Sequence, residues 1–371
     1  MNILVGIRGK GDTADSYYRA IAPWSLVRYW TNHQIRVEPL SSDGVRWADV
    51  VVFQRSASAE EELLMHEAKG RGKAVVYDCD DNLFDVPPSA GELYTYYWTP
   101  GVMKPKPPLL HHARMLGMAD LVTVPTQALG DLLCQHTGRP LNVRVLPNCV
   151  MRGDWDLTLP MHAQHPDGDA ETVTVGWMGH LYHWDDFQMI KGALEDVICA
   201  ENARLVILGF PELTRLFSPR LLERTRIEPC LPFAQMGAVR QAMRTFDVGI
   251  LPLADTPFNR GKSPLKAFQM GAAGVPCVAS PTVYGEVVAD LLPEAFPDEG
   301  GALRIARSQA DWVEILSYLI HSPTWRRMMA CAWQQEVWKR HCYESVIEVD
   351  GKDMPQAMLW LQAAEEAVRC A

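Results

Sequence analysis

Short apolar runs rich in β-branched residues recur through the first 150 residues: NILVGI from residue 2, ADVVVFQ from 48, AVVYDCD from 74, LVTVPT from 121 and NVRVLPN from 142. Such runs suit strands buried on both faces of a sheet. Between them lie stretches with helical spacing, such as EEELLMHEAKGRG at 60–72, whose Gly70–Gly72 stretch ends a helix. Strands alternating with helices predict a parallel sheet covered by helices. The pattern lapses over 151–171, where Pro, Gly, Asp and His fall without period and read as a linker. A second series follows at once: TVTVGWMG from 172, ARLVILGF from 203, RIEPCLPF from 226, DVGILPL from 247 and PCVAS from 276, with DDFQMIKGALEDVICAEN at 185–202 among its helices. From 309 to 343 the chain reads as nearly all helix, rich in Trp and Met. Helical packing against the sheets is the plain account of that segment, and an aromatic cofactor box is the other.

The expected fold class is therefore α/β with two Rossmann-like domains. A first domain spans 1–150, a linker 151–171, a second domain 172–330, and C-terminal helices over 331–371 pack back across the domains.

Composition narrows the picture. A chain of 371 residues is long enough for two ordinary cores, and 48% hydrophobic with 22% charged residues is a globular balance. No apolar run approaches the roughly 18 to 20 residues of a membrane span. The opening MNILVGIRGKGDTAD reads as a buried strand rather than a signal peptide, so a cytoplasmic location is expected. The nine cysteines are scattered without a CxxC pair, which argues for buried thiols in a reducing compartment. Net charge is -10, against a large basic footprint for nucleic acid. Residues 1–150 carry 15 Lys and Arg against 16 Asp and Glu, leaving 20 against 29 for the rest, so the first half tolerates an anionic partner better.

Candidate chemistry concentrates in NRGKSPLKAFQMGAAGVPCVAS, 259–280, which places Arg260, Lys262 and Lys266 within seven positions of a strand-to-helix crossover. Ligands of open parallel sheets bind beyond the carboxyl ends of the strands. Ser263 followed by Pro264 reads as a helix start, hydroxyl cap then proline, and Gly274 suits the far end. Cations on a loop at a helix N-terminus invite an anion, diphosphate above all. A solvated charged loop is the alternative, set against the small residues of GAAG, which let helix, strand and ligand approach closely.

At this point the chain resembles a known family. PLADTPFNRGKSPLKAFQMGAAGVPCVASPTVYGEVV, from 252, resembles the donor-site segment of retaining GT-B glycosyltransferases of the group 1, family 4 type. YYRAIAPWSL at 17–26, VVYDCDDNLFDVP at 75–87, ADLVTVPTQAL at 119–129, VLPNCV at 145–150 and VGWMGHLYHWDD at 175–186 extend the likeness over most of the chain, the last resembling a Gly-Trp-x-Gly-x-x-x-His-x-x-Asp pattern.

The resemblance implies a GT-B fold, with two Rossmann-like domains facing across a cleft, the first taking the acceptor and the second the nucleotide-sugar donor. It implies a hexosyltransferase that moves a sugar from a nucleotide-diphosphate sugar, a UDP-sugar being favoured, to an acceptor hydroxyl with retention. No cofactor and no metal would be needed, because Lys262 and Lys266, with Arg260 nearby, would neutralise the departing diphosphate. Gly179, His180 and His183 would meet phosphates or sugar, and Asn259, Ser263, Gln269 and Pro229 complete the expected donor-binding set. Gln269 departs from the family, which commonly has a glutamate there for the ribose hydroxyls; an amide offers one acceptor and one donor but no charge. The partner acidic position eight residues earlier is Gly261, and Glu286 is a spare carboxylate.

On the acceptor side, Asp78, Asp80 and Asp81 follow a strand. Acceptor binding or proton acceptance by Asp80 or Asp81 is the expectation, helix capping and a Mg²⁺ or Mn²⁺ clamp being the alternatives. Residues 91–115 read as a long proline-containing loop that interleaves Tyr97 and Trp98 with Lys104, Lys106, His111 and His112, a candidate acceptor lid or simply a packed surface loop. Arg8, Lys10 and Arg19 would border the acceptor or the diphosphate. The acceptor is expected to be a glycan or small molecule, with hydroxymethylated bases of phage DNA second. Two rivals of other classes stand beside this. Gly6, Gly9 and Gly11 loosely match a dinucleotide fingerprint for an NAD(P)-dependent oxidoreductase, though spaced G-x-x-G-x-G, and Gln269 admits a catalytically silent sugar-nucleotide binder.

Overall fold

The computed structural model describes residues 1–7, 13–100, 106–155, 172–229, 236–287 and 303–371. The chain forms two compact units: one of Met1–Met151, Arg260–Ser263 and Cys342–Ala371, the other of Arg152–Asn259 and Pro264–His341. Most of the linker expected at 151–171 lies outside the described residues.

The first unit is built on a six-stranded parallel sheet. Its strands are β1 (Asn2–Gly6), β2 (Gln34–Glu38), β3 (Val50–Gln54), β4 (Ala74–Asp78), β5 (Leu121–Val124) and β6 (Val143–Val145), in the order β2-β1-β3-β4-β5-β6. β3, β4 and β5 are buried at every residue, as their unbroken apolar runs require. Helix Ala59–Gly70 opens on a capping box, in which Ser58 Oγ accepts from Glu61 N and the Glu61 carboxylate accepts from Ser58 N. Gly72 beyond its end takes φ +66°.

Three features of this unit differ from the sequence expectation. β2 was not anticipated: it is an edge strand whose burial alternates, so no continuous apolar run marks it. Residues 91–115 are not one long loop, because helices Glu92–Trp98 and Pro108–Met118 occupy most of the stretch. The segment after 331 is not all helix. An antiparallel hairpin of β13 (Val346–Val349) and β14 (Lys352–Pro355) precedes helix Met358–Cys370, which packs against β3, β4, β5 and helix Ala22–Trp30 of this same unit. Trp360 Nε1 donates to Arg19 O at 3.2 Å, and Tyr343 Oη donates to Tyr18 O. The last thirty residues thus complete the core of the first unit.

The second unit repeats the design with β7 (Val173–Met178), β8 (Ala203–Gly209), β9 (Thr225–Pro229), β10 (Val248–Leu251), β11 (Cys277–Ala279) and β12 (Leu303–Ile305), all parallel in the order β12-β11-β10-β7-β8-β9. β12, another short edge strand, was also missed by sequence. Trp177 packs edge-on to Phe187 with ring centroids 4.7 Å apart, within a core that includes Ile190, Leu194, Ile207, Ile250 and Trp312. Helix Pro323–Arg340 lies on helix Leu265–Ala272, where Trp333 Nε1 donates to Ala267 O at 2.9 Å. A Cβ on Gly271 would stand 2.6 Å from both Trp333 Nε1 and Val337 Cγ2. The GAAG stretch therefore removes bulk for helix packing, as its small residues led one to expect. The Trp-rich helix is packing material.

Candidate functional site

Each sheet has one place where chain direction across the sheet reverses, and there the loops diverge to leave room for a ligand. In the second unit it lies between neighbours β7 and β10, because the chain runs outward through β8 and β9 and returns to β10 on the other side of β7. Side chains just beyond the carboxyl ends of these two strands form one connected network.

After β7, Gly179 leads into the turn Leu181–His183 and then helix Trp184–Ala200. His183 and Asp186 are both buried, with His183 Nδ1 2.6 Å from Asp186 Oδ2. The other carboxylate oxygen, Oδ1, accepts from Ala254 N at 2.7 Å and from Asn259 Nδ2 at 2.8 Å, both beyond β10. On the far side of the imidazole, His183 Nε2 is 2.7 Å from Lys266 Nζ. The ammonium also lies 5.0 Å from the Trp177 ring centroid. Burial by itself would raise the Asp186 pKa, but the hydrogen bond and charge of His183, the Ala254 N–H and Lys266 together hold it below the usual carboxylate range. A Cβ on Gly179 would come within 2.5 Å of Trp177 Cζ2 and 2.7 Å of Lys266 Nζ, so the glycine is what lets the lysine lie there.

Of the other expected donor residues, Asn259 belongs to this network through Asp186. His180 is stacked on Tyr182, with ring centroids 4.2 Å apart, and meets the tilted ring of Phe210 at 4.0 Å. Gln269 is buried on helix Leu265–Ala272, and Pro229 ends β9. Arg260 ends the short helix Pro257–Arg260 and is exposed. Ser263 does not cap the helix after it. That helix starts one residue later than expected, with Pro264 at the cap position, and the Ser263 hydroxyl accepts instead from Asn148 Nδ2 at 2.9 Å in the first unit.

The corresponding place in the first unit lies between β1 and β3. Just beyond β3, Arg55 takes φ +47°, a left-handed conformation rare outside glycine. It aims a guanidinium among three carboxylates: Nη1 is 3.2 Å from Asp81 Oδ2, 3.6 Å from Asp80 Oδ1 and 3.8 Å from Asp15 Oδ2. Arg55 Nε donates to Tyr97 Oη at 3.3 Å. Lys262, expected with Lys266 on the diphosphate, is here instead, 3.2 Å from Asp81 Oδ1. Burial, opposed by Arg55 and reinforced by Asp81, Asp15 and Asp78, pushes the Asp80 carboxyl up to about 7.

Asp78 is used differently. Arg19, expected at the acceptor, is fully buried and grips Asp78 with two bonds, Nε to Oδ1 at 3.0 Å and Nη2 to Oδ2 at 2.6 Å. Nη1 is taken by Leu146 O and Asn148 Oδ1, and Trp360 lies 5.3 Å from the guanidinium carbon. With its donors spent inside the core, Arg19 holds the fold together and cannot meet an acceptor; a π-helical stretch, Tyr17–Ile21, points it inward. His112 is likewise corrected to a packing residue, buried beside Phe84 with Nδ1 2.6 Å from Tyr77 Oη. His111 pairs with Glu62, Tyr97 is buried, and Trp98 is exposed and stacked on Tyr94. The Asp triplet does not converge as a metal clamp, since Asp78 faces Arg19 while Asp80 and Asp81 face Arg55 and Lys262. Arg8 and Lys10 lie outside the described residues.

Sequence reasoning missed Asp15 and Arg55, and gave Asp186 no role. Asp186 stood in the quoted VGWMGHLYHWDD motif and could have been found there, whereas nothing in the sequence marks the backbone turn at Arg55.

Among the described residues no helix is long and apolar enough to cross a membrane. No curated protein matches the sequence. Residues 200–349 match a family described as glycosyl transferase-like. Among solved structures, the chain is similar to sucrose-phosphate synthase from Thermosynechococcus elongatus, at 12% identity and TM-score 0.63 over 100% of this chain and 99% of that one. HepE from Anabaena in complex with UDP-glucose matches at 15% identity and TM-score 0.59, over 98% of each chain. The catalytic domain of starch synthase IV from Arabidopsis thaliana, bound to ADP and acarbose, matches at 11% identity and TM-score 0.63, over 99% of each chain. The two six-stranded parallel Rossmann-like sheets and the likeness to these structures show the GT-B fold, and the segment 200–349 is similar to glycosyl transferases.

Proposed function

We propose that the protein moves a sugar from a nucleotide-diphosphate sugar, a UDP-sugar by preference, to a hydroxyl of a glycan or small molecule, with retention of configuration and without a metal. The observation that carries this is the Lys266 ammonium, lodged between His183 and Trp177 where the second sheet reverses. A fixed cation there stabilises the charge that builds on a departing diphosphate, and as a preorganised group it needs no rearrangement during reaction. That HepE, of the same fold, was solved with UDP-glucose and with UDP and glucose supports UDP as the nucleotide.

In this proposal the second unit binds the donor and the first the acceptor, with Asp80 receiving the acceptor hydroxyl as hydrogen-bond donor. Front-side transfer, in which an oxygen of the leaving diphosphate takes the acceptor proton, accounts for retention with no further base. The eight described cysteines are all free thiols, which fits a cytoplasmic enzyme. The basic and aromatic face that a DNA acceptor would need loses His112 to the core and His111 to Glu62.

The test is a screen of UDP-, ADP- and GDP-sugars by nucleotide release, with and without acceptor sugars, repeated in EDTA, with the anomeric configuration of the product read by NMR. UDP release dependent on Lys266 and indifferent to EDTA supports the proposal. Release that survives Lys266→Ala, or an inverted product, sinks it.

A further inference from the structure

The network around Lys266 contains one group whose role follows from its hydrogen bonds alone. We propose that Asp186 is the positioning residue of the donor site: by accepting the Nδ1 proton of His183, it fixes that imidazole as a neutral ring whose Nε2 accepts from the Lys266 ammonium. The inference rests on the proposed donor role of Lys266 and deepens it.

An ammonium can only donate. For Lys266 Nζ to sit 2.7 Å from His183 Nε2 as a charged donor, Nε2 must present its lone pair. The ring proton then belongs on Nδ1, and the acceptor facing Nδ1 is Asp186 Oδ2 at 2.6 Å. Asp186 is itself held in register, because Oδ1 takes Ala254 N at 2.7 Å and Asn259 Nδ2 at 2.8 Å. One carboxylate therefore joins the loop after β7 to the loop after β10, the two segments that flank the reversal of the sheet. The histidine side chain is 5% exposed and that of Asp186 2%, so water does not compete for either bond. Asp186 does not reach the ligand; it sets where the cation stands and which nitrogen carries the proton.

An isosteric change isolates this. In Asp186→Asn the amide oxygen still accepts from Ala254 and Asn259, while the amide NH₂ turns toward His183 Nδ1 and drives the proton to Nε2. Donor then faces donor, and Lys266 is displaced. A carboxylate-to-amide exchange behind a catalytic histidine that leaves the geometry intact is known to cost up to about 10⁴ in kcat; since His183 is one shell removed here, a fall of roughly 10²-fold in kcat is expected, with restoration of part of it by Asp186→Glu.

Two readouts separate this from a purely structural part. ¹⁵N NMR of the imidazoles, assigned with His183→Gln, reports the Nδ1–H tautomer in the wild-type chain and the Nε2–H tautomer in Asp186→Asn, without any substrate. Steady-state kinetics with the donor found by the screen reports kcat against KM. A wild-type His183 protonated on Nε2, or an Asp186→Asn variant that keeps its tautomer and wild-type kcat, overturns the inference. If instead the tautomer shifts as described while Lys266→Ala leaves nucleotide release unchanged, the positioning chain stands and the donor role of Lys266 fails.

Discussion

Lys266 Nζ stands 2.7 Å from His183 Nε2, while Lys262, four residues earlier, stands 3.2 Å from Asp81 Oδ1 in the other compact unit. Two cations that look equivalent in the sequence are divided between two networks, and their substitutions are expected to behave differently. Lys266→Ala removes the cation proposed to meet the leaving group, with an expected loss of roughly 10² to 10³-fold in kcat by analogy with loss of one preorganised donor. Lys262→Ala removes a partner of Asp81, leaves Lys266 in place, and is expected to weaken acceptor saturation more than donor saturation. Parallel kinetics with donor and acceptor varied in turn check this; equal effects on both substrates would refute the division.

Gly179 offers a steric test of the same site. A methyl group there would fall 2.5 Å from a buried Trp177 ring and 2.7 Å from the lysine nitrogen. The lysine end can yield but the ring cannot, so Gly179→Ala is expected to cost about 1 to 3 kcal/mol by overpacking. It should also weaken UDP binding by displacing Lys266. Denaturant unfolding and calorimetric titration with UDP measure the two effects; unchanged UDP affinity would show that Lys266 does not meet the nucleotide.

How much of this was legible beforehand follows a physical rule. The central strands of both sheets are buried on both faces, and their apolar runs announced them. β2 and β12 were missed because an edge strand is half exposed and needs no unbroken run: in β2 only Ile35 is fully buried. The same reasoning explains the site. Gly179, His183, Asn259 and Lys266 were singled out on motif spacing; the structure joins His183 and Asn259 through Asp186, sets Lys266 on the far nitrogen of His183, and leaves room for that lysine at Gly179. Arg19 was misplaced because a buried arginine and a ligand-binding arginine look alike in sequence. What distinguishes them is Asp78, 59 positions away and facing it across the fold. Arg55 was invisible because its importance comes from a backbone angle.

The Arg19–Asp78 pair makes a stability prediction. Both side chains are buried, and burial, which would lower the arginine pKa, is outweighed by the facing carboxylate, so the guanidinium is held above its usual value. Removing one partner strands the other charge in the core, and Arg19→Met or Asp78→Leu alone is expected to cost about 3 to 5 kcal/mol. The double variant Arg19→Met with Asp78→Leu leaves no stranded charge and should recover a large part of that loss. Urea unfolding of the two singles and the double checks this; additive losses would contradict it.

Asp80 gives a prediction with opposite consequences for stability and activity. Its carboxyl faces Arg55 from the end of β3, Asp15 from the helix after β1, its own neighbours Asp78, Cys79 and Asp81, and, through Asp81, Lys262. Burial and the three like charges outweigh Arg55 and raise the folded pKa to about 7, against about 3.9 in an unfolded chain. Between those two values the folded state binds the extra proton. Stability from this group is therefore present below about pH 4 and is lost as pH rises through 7. Asp80→Asn, which cannot ionise, is expected to be more stable than wild type at pH 8, by roughly 1 to 2 kcal/mol after discounting the coupling among the carboxylates, and nearly equal to it at pH 4. Activity should run the other way. If the ionised carboxylate receives the acceptor hydroxyl, kcat/KM for the acceptor rises with pH to a plateau above about 7, and Asp80→Asn flattens that limb while lowering the plateau. A pH series of thermal unfolding and of acceptor kinetics on both proteins measures the two slopes, and a variant that keeps the wild-type limb would place the titrating group elsewhere.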